Sequence, residues 1–546
     1  MALTNLEVAQ AAKLRDIREV ADKAGLAPED YEPLGKYKAK LTDEGIARLR
    51  ANKGQGKLVL VTAITPTQHG EGKTTVTVGL TQGLNRIGRN AVSATREPAL
   101  GPIFGTKGGA CGGGYSQVVP MEDINLFFTG DFPAITAAHN LLSAILDAHI
   151  YHGNALGVDL RQPTWPRTVD MGDRALREII VGLGGTANGY PRQDGFVITP
   201  ASEIMAILCL SRDLKELRQR LGSIVAAYTA KKEPITADQL KATGGMMALL
   251  KDAIRPNLVQ TIEGGLALVH GGPFGNIAHG CSTITATECS LGLSEFTITE
   301  AGFASDLGAE KFLNIKCRRL GRGPDAIVLV ATIRALEHHG GGCLEQGFQN
   351  LLRHAKHLRQ YGPPLIVAIN RFADDTDEQH CELEEMCAEH GLVAVSCDPF
   401  SKGGAGCEEL AERVAALAHT PSTFTHLYDE SDTFEDKMQA IVTKVYGGDG
   451  FTMSDTARKR LEWLRKHNLE AMPVCVAKTQ MSLSDDATKP GAPTGFTVHV
   501  REIRPSVGAG FLVAVAGDIL LIPGLGKSPA AFNIDVDEEG KITGMF

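Results

Sequence analysis

Hydrophobic positions along the chain alternate between two periodicities. Near the N-terminus, Val8, Ala11, Leu14, Ile17 and Val20 follow helical spacing behind a Thr4-x-x-Glu7 capping box, which predicts an opening helix. The first strand is expected at Leu58-Val-Leu-Val-Thr-Ala-Ile64, apolar and β-branched as a strand covered on both faces requires. A polar, glycine-rich turn then leads into a helix from about Lys73, with Val76, Val78, Leu80, Leu84 and Ile87 as its apolar positions. Strand, glycine turn and helix make the first half of a βαβ unit.

Similar short apolar runs recur. Asp325–Thr332 ends in a Gly340-Gly341-Gly342 loop, Pro364–Asn370 ends in Arg371-Phe372, and Gly391–Ser396 ends in a loop around Phe400. Helical segments at Leu344–Tyr361 and Asp377–His390 separate the last three. This alternation predicts an α/β fold with a mostly parallel, doubly wound sheet, whose ligands bind beyond the C-terminal ends of the strands. Further on, Gly510–Pro523 reads as two strands around Gly517-Asp518. The expected organisation is a large P-loop NTPase-like, nucleotide-binding domain over 1–358, an α/β domain over 359–470 and a small α+β domain over 471–546.

Composition narrows the function classes. A chain of 546 residues exceeds the usual size of one core, and 43% hydrophobic with 22% charged residues is a globular balance. The net charge of −9 gives no electrostatic footprint for nucleic acid. The eleven cysteines are scattered and never spaced Cys-x-x-Cys, the usage expected of reduced thiols in a cytoplasmic protein. No apolar run approaches the roughly 18 residues of a membrane span. Glycine, at 61 residues, is in surplus, which points to sharp turns and close backbone approaches to a ligand.

The strongest chemical signal follows the strand at 58–64. Thr67-Gln68-His69-Gly70-Glu71-Gly72-Lys73-Thr74-Thr75 is a phosphate loop with Thr67 in place of the usual first glycine. Its glycines let backbone N–H groups turn inward, the helix N-terminus adds positive potential, and Lys73 reaches the β- and γ-phosphates. Thr74 would hold Mg²⁺ through its hydroxyl. A second glycine-rich run, Gly101–Tyr115, carries Lys107 and reads either as a flexible loop or as another anion cradle. Arg96-Glu97 follows a short strand at Ala91–Ala94, and Arg96 there either faces a transferred phosphoryl group or is solvated. Asn370–Asp374 loosely resembles a base-reading element. Phe372, with Phe400 on the next strand's loop, supplies two flat faces for a planar heterocycle, or packs beneath a domain seam. His380-Cys381, Cys387 and His390 read as an ordinary helix rather than a zinc site.

Together these motifs resemble the formate–tetrahydrofolate ligase family over essentially the whole chain. The match is carried by the phosphate loop, Arg96-Glu97-Pro98, Gly112–Pro120, Phe128-Thr-Gly-Asp131, Asp173–Arg177, His270–Phe274 with Ile277–Cys281, Asp306–Phe312 and Ala477–Gln480. The resemblance implies a carbon–nitrogen bond-forming ligase of one-carbon metabolism. ATP would phosphorylate formate to formyl phosphate, and N10 of tetrahydrofolate would then attack the formyl carbon. It further implies Thr67–Thr75 as the nucleotide site, Lys73, Arg96 and Glu97 as catalytic residues, and Phe372 and Phe400 as the pterin clamp. Glu97 and Asp131 would line a monovalent-cation site for K⁺ or NH₄⁺, Mg-ATP would be the nucleotide, and the assembly a homotetramer. Departures from the family pattern fall at Thr106, Cys111, Phe127, Pro133, Glu337, Phe400 and Met481. Two other readings are a phosphate-loop ligase for another small carboxylate and a nucleotide-dependent regulatory switch.

Overall fold

The computed structural model describes residues 3–52, 56–68, 70–105, 111–163 and 165–545. At its centre is a mixed, mostly parallel sheet of twelve described strands. Its main path runs Tyr31–Pro33, Ala39–Leu41, Asn257–Thr261, Leu266–Val269, Ala91–Thr95, Phe296–Glu300, Lys57–Ala63, Ala326–Ala331, Leu365–Asn370 and Val393–Cys397. From Leu266–Val269 onward every neighbouring pair is parallel.

Strand side chains alternate between faces, so a run that is apolar at every position must be covered twice. Leu58, Leu60, Ile327, Leu329, Val367 and Ile369 pack with Phe348, Leu351 and Leu358 of helix Leu344–Arg359. On the opposite face, Val59, Val61, Val328, Val330 and Ile366 pack with Val76, Leu80 and Leu84 of helix Lys73–Arg86, and with Leu410 and Val414 of helix Glu408–Leu417. Register then aligns the strand ends. Val61 lies opposite Glu300, Ala63 opposite Val330, Ala331 opposite Ile369, and Asn370 opposite Cys397. The segments that follow these residues therefore emerge along one edge.

Several details differ from the sequence reading. Tyr31–Pro33 and Ala39–Leu41 precede the strand at 57–63. More consequentially, Phe296–Glu300 lies between Lys57–Ala63 and Ala91–Thr95, so those two strands are not neighbours. Its two threonines break the apolar run that marks the other central strands, yet both are buried, and Thr299 Oγ1 donates to the Ala94 carbonyl at 2.7 Å. Helix Ile333–His339 intervenes before the triple glycine. The sheet also runs on past residue 358, since Leu365–Asn370 pairs with Ala326–Ala331 and Val393–Cys397 extends it.

A second sheet is ordered Gly450–Met453, Thr497–Ser506, Phe511–Ala516, Val474–Ala477. Of the two strands expected around Gly517-Asp518, only Phe511–Ala516 forms. Both of its edges are already paired, with Thr497–Ser506 and Val474–Ala477, so residues 519–523 cannot pair back onto it. The Leu521 carbonyl instead accepts from Ile198 N at 2.9 Å. Leu512, Ala514 and Ala516 face Tyr446 and Leu461, while Phe511, Val513 and Val515 pack with Ile204, Ile207 and Leu217, which seats this sheet on the body of the protein. Among the described residues no helix is long and apolar enough to cross a membrane.

Glu203 bridges that seam, accepting from Gly508 N at 2.8 Å and Ala509 N at 3.3 Å. Burial pushes its carboxyl up to about 7 in spite of those two bonds. Such a group binds its proton more tightly folded than unfolded, so its contribution is lost as pH rises from the ordinary value of 4.5 towards 7. Glu203→Gln keeps an acceptor and removes the titration. Urea unfolding of the variant is expected to depend less on pH across that window than that of the parent. The gap between the two should change by on the order of 3 kcal/mol, and parallel stability curves would refute the assignment.

Candidate functional site

The shared edge carries the loop at 67–75, the candidate phosphate loop. Its base is fixed at Thr65, whose N–H donates to His354 Nε2 at 2.9 Å and whose carbonyl pairs with His339 Nε2 at 2.8 Å. Burial holds His354 down to about 3, so it is neutral and accepts. Gly70 (φ +75°) and Gly72 (φ +68°) adopt left-handed conformations that favour glycine. At Gly72 a Cβ would also lie 2.3 Å from Asn370 Nδ2, which donates to the Glu71 carbonyl at 3.1 Å. Gly72 caps helix Lys73–Arg86, so the positive end of that helix opens onto the loop.

Glu71 turns inward. Its Oε1 accepts from Thr67 N at 2.7 Å and Thr67 Oγ1 at 2.8 Å, and Oε2 from Thr332 Oγ1 at 2.5 Å. The carboxylate thus acts on the loop's shape, and Thr67 N is engaged within the protein. Lys73 and Thr74 are partly exposed at the loop's end. Lys73 Nζ donates to the Phe303 carbonyl at 3.2 Å, and Thr74 Oγ1 donates to Glu300 Oε2 at 2.8 Å. Gln68, Gly70, Gly72 and Thr75 complete the described loop; His69, like Thr106 and Lys107 of the glycine run, lies outside the described residues.

Arg96 reaches the same place from the next strand but one. Its Nη1 donates to the Pro273 carbonyl at 3.1 Å, Nη2 stands 3.8 Å from Glu300 Oε1, and buried Nε has no protein partner among the described residues. Gly302 lets the guanidinium approach, because a Cβ there would lie 3.0 Å from Nη1. Glu300, the last residue of the intervening strand and almost fully buried, therefore stands between Thr74 and Arg96. The sequence reading missed it. An alternating Phe-Thr-Ile-Thr-Glu run was the available signal, since its final carboxylate falls at a strand end.

Glu97 projects away from Arg96, as successive residues of an extended segment do. It meets Asp131 through Asn257, whose Nδ2 donates to Glu97 Oε1 at 3.1 Å and Asp131 Oδ2 at 2.8 Å. An ammonium is already present: Lys40 Nζ lies 2.8 and 3.1 Å from the two Asp131 oxygens. Burial and the neighbouring Asp131 push the Glu97 carboxyl well up. Burial acts in the same direction on Asp131, but Lys40, His270 and Asn257 outweigh it and hold that carboxyl low. The two carboxyls are thus driven in opposite directions, and Lys40 is the cation that lies against Asp131. Nothing in the pattern at Lys36–Lys40 singled that lysine out.

Phe372 and Phe400 follow the neighbouring strands Leu365–Asn370 and Val393–Cys397. Arg334 covers one face of Phe372, with its guanidinium carbon 3.9 Å from the ring centroid. Phe400 is 46% exposed and lies along the glycine run, where a Cβ at Gly113 would be 3.2 Å from its ring and Tyr115 N donates to its carbonyl at 2.9 Å. No direct contact joins the two rings among the described contacts. His380 is engaged by Ser396 Oγ at 2.8 Å and Asp375 at 3.3 Å.

A family model described as formate–tetrahydrofolate ligase matches residues 3–546. A formate–tetrahydrofolate ligase of Symbiobacterium thermophilum is 53% identical to this chain over 556 residues, spanning 100% of both.

Removing one partner of a buried ion pair typically costs about 3–5 kcal/mol, because the remaining charge stays buried. Lys40→Met is expected to lose stability of that order in urea unfolding, and Lys40→Met combined with Asp131→Asn to regain most of it. An additive double variant would show that the two residues are not coupled.

Proposed function

Because the chain belongs to the formate–tetrahydrofolate ligase family, we propose that its phosphate-loop edge joins formate to tetrahydrofolate with ATP, giving 10-formyltetrahydrofolate, ADP and phosphate. The observation that carries this reading is the meeting of Thr74 and Arg96 on the buried carboxylate of Glu300, with Lys73 held nearby in the chain on the Phe303 carbonyl. In this reading residues 57–86 are the P-loop element of an NTPase-like domain, and backbone amides of the loop, with Lys73, bind the phosphates.

Formate is a poor acyl donor, since its carboxylate is charged and its oxygen is a poor leaving group. Attack of a formate oxygen on the γ-phosphorus breaks the bond to ADP and yields formyl phosphate. Lys73 and Arg96 offset the charge on the moving phosphoryl group. N10 of tetrahydrofolate then attacks the formyl carbon, and the C–O bond to phosphate breaks as the departing phosphate takes the amine's proton. Glu300 orients Thr74 and balances Arg96, which leaves Arg96 Nε and the outer face of the guanidinium for the anion. Phe372 and Phe400 form the pterin clamp in this scheme.

Thr74 and Glu300 fit Mg²⁺, since a hydroxyl and a carboxylate are the hard oxygen donors it takes. When bound there, the ion would supply further neutralisation of phosphate charge. The monovalent-cation assignment fits less well: Glu97 and Asp131 offer oxygens, but Lys40 and Asn257 already engage them. No catalytic step is routed through that position. For the assembly, we read the chain as a homotetramer subunit, with the exposed Ile180, Leu183 and Tyr190 around strands Ile179–Val181 and Arg192–Asp194 as candidate contacts with a second copy.

ADP release is expected to depend on formate and tetrahydrofolate together; turnover indifferent to both would overturn the reading. Arg96→Ala is expected to lower kcat by about 10²–10³, with ADP affinity changed only a few-fold by calorimetry. A near-normal rate would remove Arg96 from the chemistry.

A further inference from the structure

We propose that Arg334 is a positioning residue that couples the nucleotide and folate sites, so that each ligand tightens the other through one shared guanidinium. This rests on reading Phe372 as a face of the folate site. The topology places Arg334 between the two. Its strand, Ala326–Ala331, has the phosphate-loop strand on one side and the Phe372 strand on the other. Arg334 then sits in the first turn of helix Ile333–His339, two residues after its N-cap Thr332, whose hydroxyl holds Glu71.

Three contacts define its position. Nη2 donates to the Gly70 carbonyl and lies 4.0 Å from Glu71 Oε2. The guanidinium plane lies over Phe372 at 3.9 Å. Nε is buried and without a protein partner among the described residues. The arginine therefore grips the outer side of the phosphate loop and one face of the aromatic ring at once. One residue on the same helix, Glu337, accepts from Gln379 Nε2 at 3.3 Å and ties the helix to the segment that follows Phe372.

The physical consequence is a coupling. Phosphates drawing on the loop's inward N–H groups polarise its peptides and strengthen the outward carbonyl at Gly70 as an acceptor. A firmer grip on Gly70 fixes the guanidinium, and a fixed guanidinium holds Phe372 with its other face presented to a heterocycle. Lysine cannot reproduce this, because a point ammonium has no flat surface and no fork. Linkage requires the effect to be reciprocal: the factor by which nucleotide tightens folate must equal the factor by which folate tightens nucleotide.

Calorimetric titration of tetrahydrofolate into the full-length protein, with and without saturating ADP, measures that factor. The parent protein is expected to bind tetrahydrofolate at least about fivefold more tightly with ADP present. In Arg334→Met the factor should fall to about one, with each ligand's own Kd in isolation changed less than about threefold, and Arg334→Lys should recover only part of it. A residue important only for stability would lower the melting temperature and leave the factor intact. A parent factor of one, or an unchanged factor in Arg334→Met, overturns the proposal; if that variant does not fold, Arg334→Lys decides by the same criterion. Phe372→Ala separates the two levels. Unaltered folate affinity there would defeat the reading of Phe372, whereas weakened folate binding beside intact coupling in the Arg334 variants would defeat this inference alone.

Discussion

The parallel register of the central strands is the constraint on which the rest of this structure depends. Parallel strands in register end together, and here Glu300, Ala63, Ala331, Asn370 and Cys397 reach one edge, each within two residues of its neighbour. Every candidate group on that edge is the continuation of a strand: Lys73 and Thr74 through the phosphate loop, Arg96, Arg334, Phe372 and Phe400. None is held mainly by its own loop. A one-residue slip of any strand would exchange its two faces and withdraw its group from the site.

Burial sets the electrostatics of that edge. The carboxylates within it are supplied with donors. Glu71 takes three hydrogen bonds, Glu300 takes Thr74 and faces Arg96, and Asp131 takes Lys40 and Asn257. The cationic groups there, Lys73 and Arg96, stay partly exposed, which suits phosphates and a small carboxylate. Glycine makes the required approach possible. A Cβ at Gly302 would crowd Arg96, and one at Gly308 would lie 2.0 Å from the Gly302 carbonyl. Part of the glycine surplus thus has a packing cause next to the proposed site.

Much of this was legible in the residues themselves. Thr4 and Glu7 form the anticipated capping box, the run at 391–396 is the sheet's last strand, and the apolar runs at 58–64, 325–332 and 364–370 are central strands within a residue or two at either end. They stood out because strands covered on both faces need apolar residues throughout. Phe296–Glu300 escaped notice for the complementary reason: Thr297 and Thr299 are polar to the eye but buried in fact, with Thr299 satisfied by a neighbouring carbonyl. The strand expected at 519–523 failed because local propensity says nothing about whether a free edge exists.

By itself, then, the sequence determined the local elements, the glycine-rich loop at 67–75 with its lysine, and the family to which the chain belongs. Each of these is encoded in contiguous residues whose spacing has a direct physical meaning. Only the tertiary structure decided which strand lies beside which, and therefore that Glu300 stands between Thr74 and Arg96, that Lys40 occupies the acidic pair, and that Arg334 spans the loop and Phe372. Those partners are separated by 38 to 264 positions in the chain. Their meeting follows from strand order and burial, which no local pattern records.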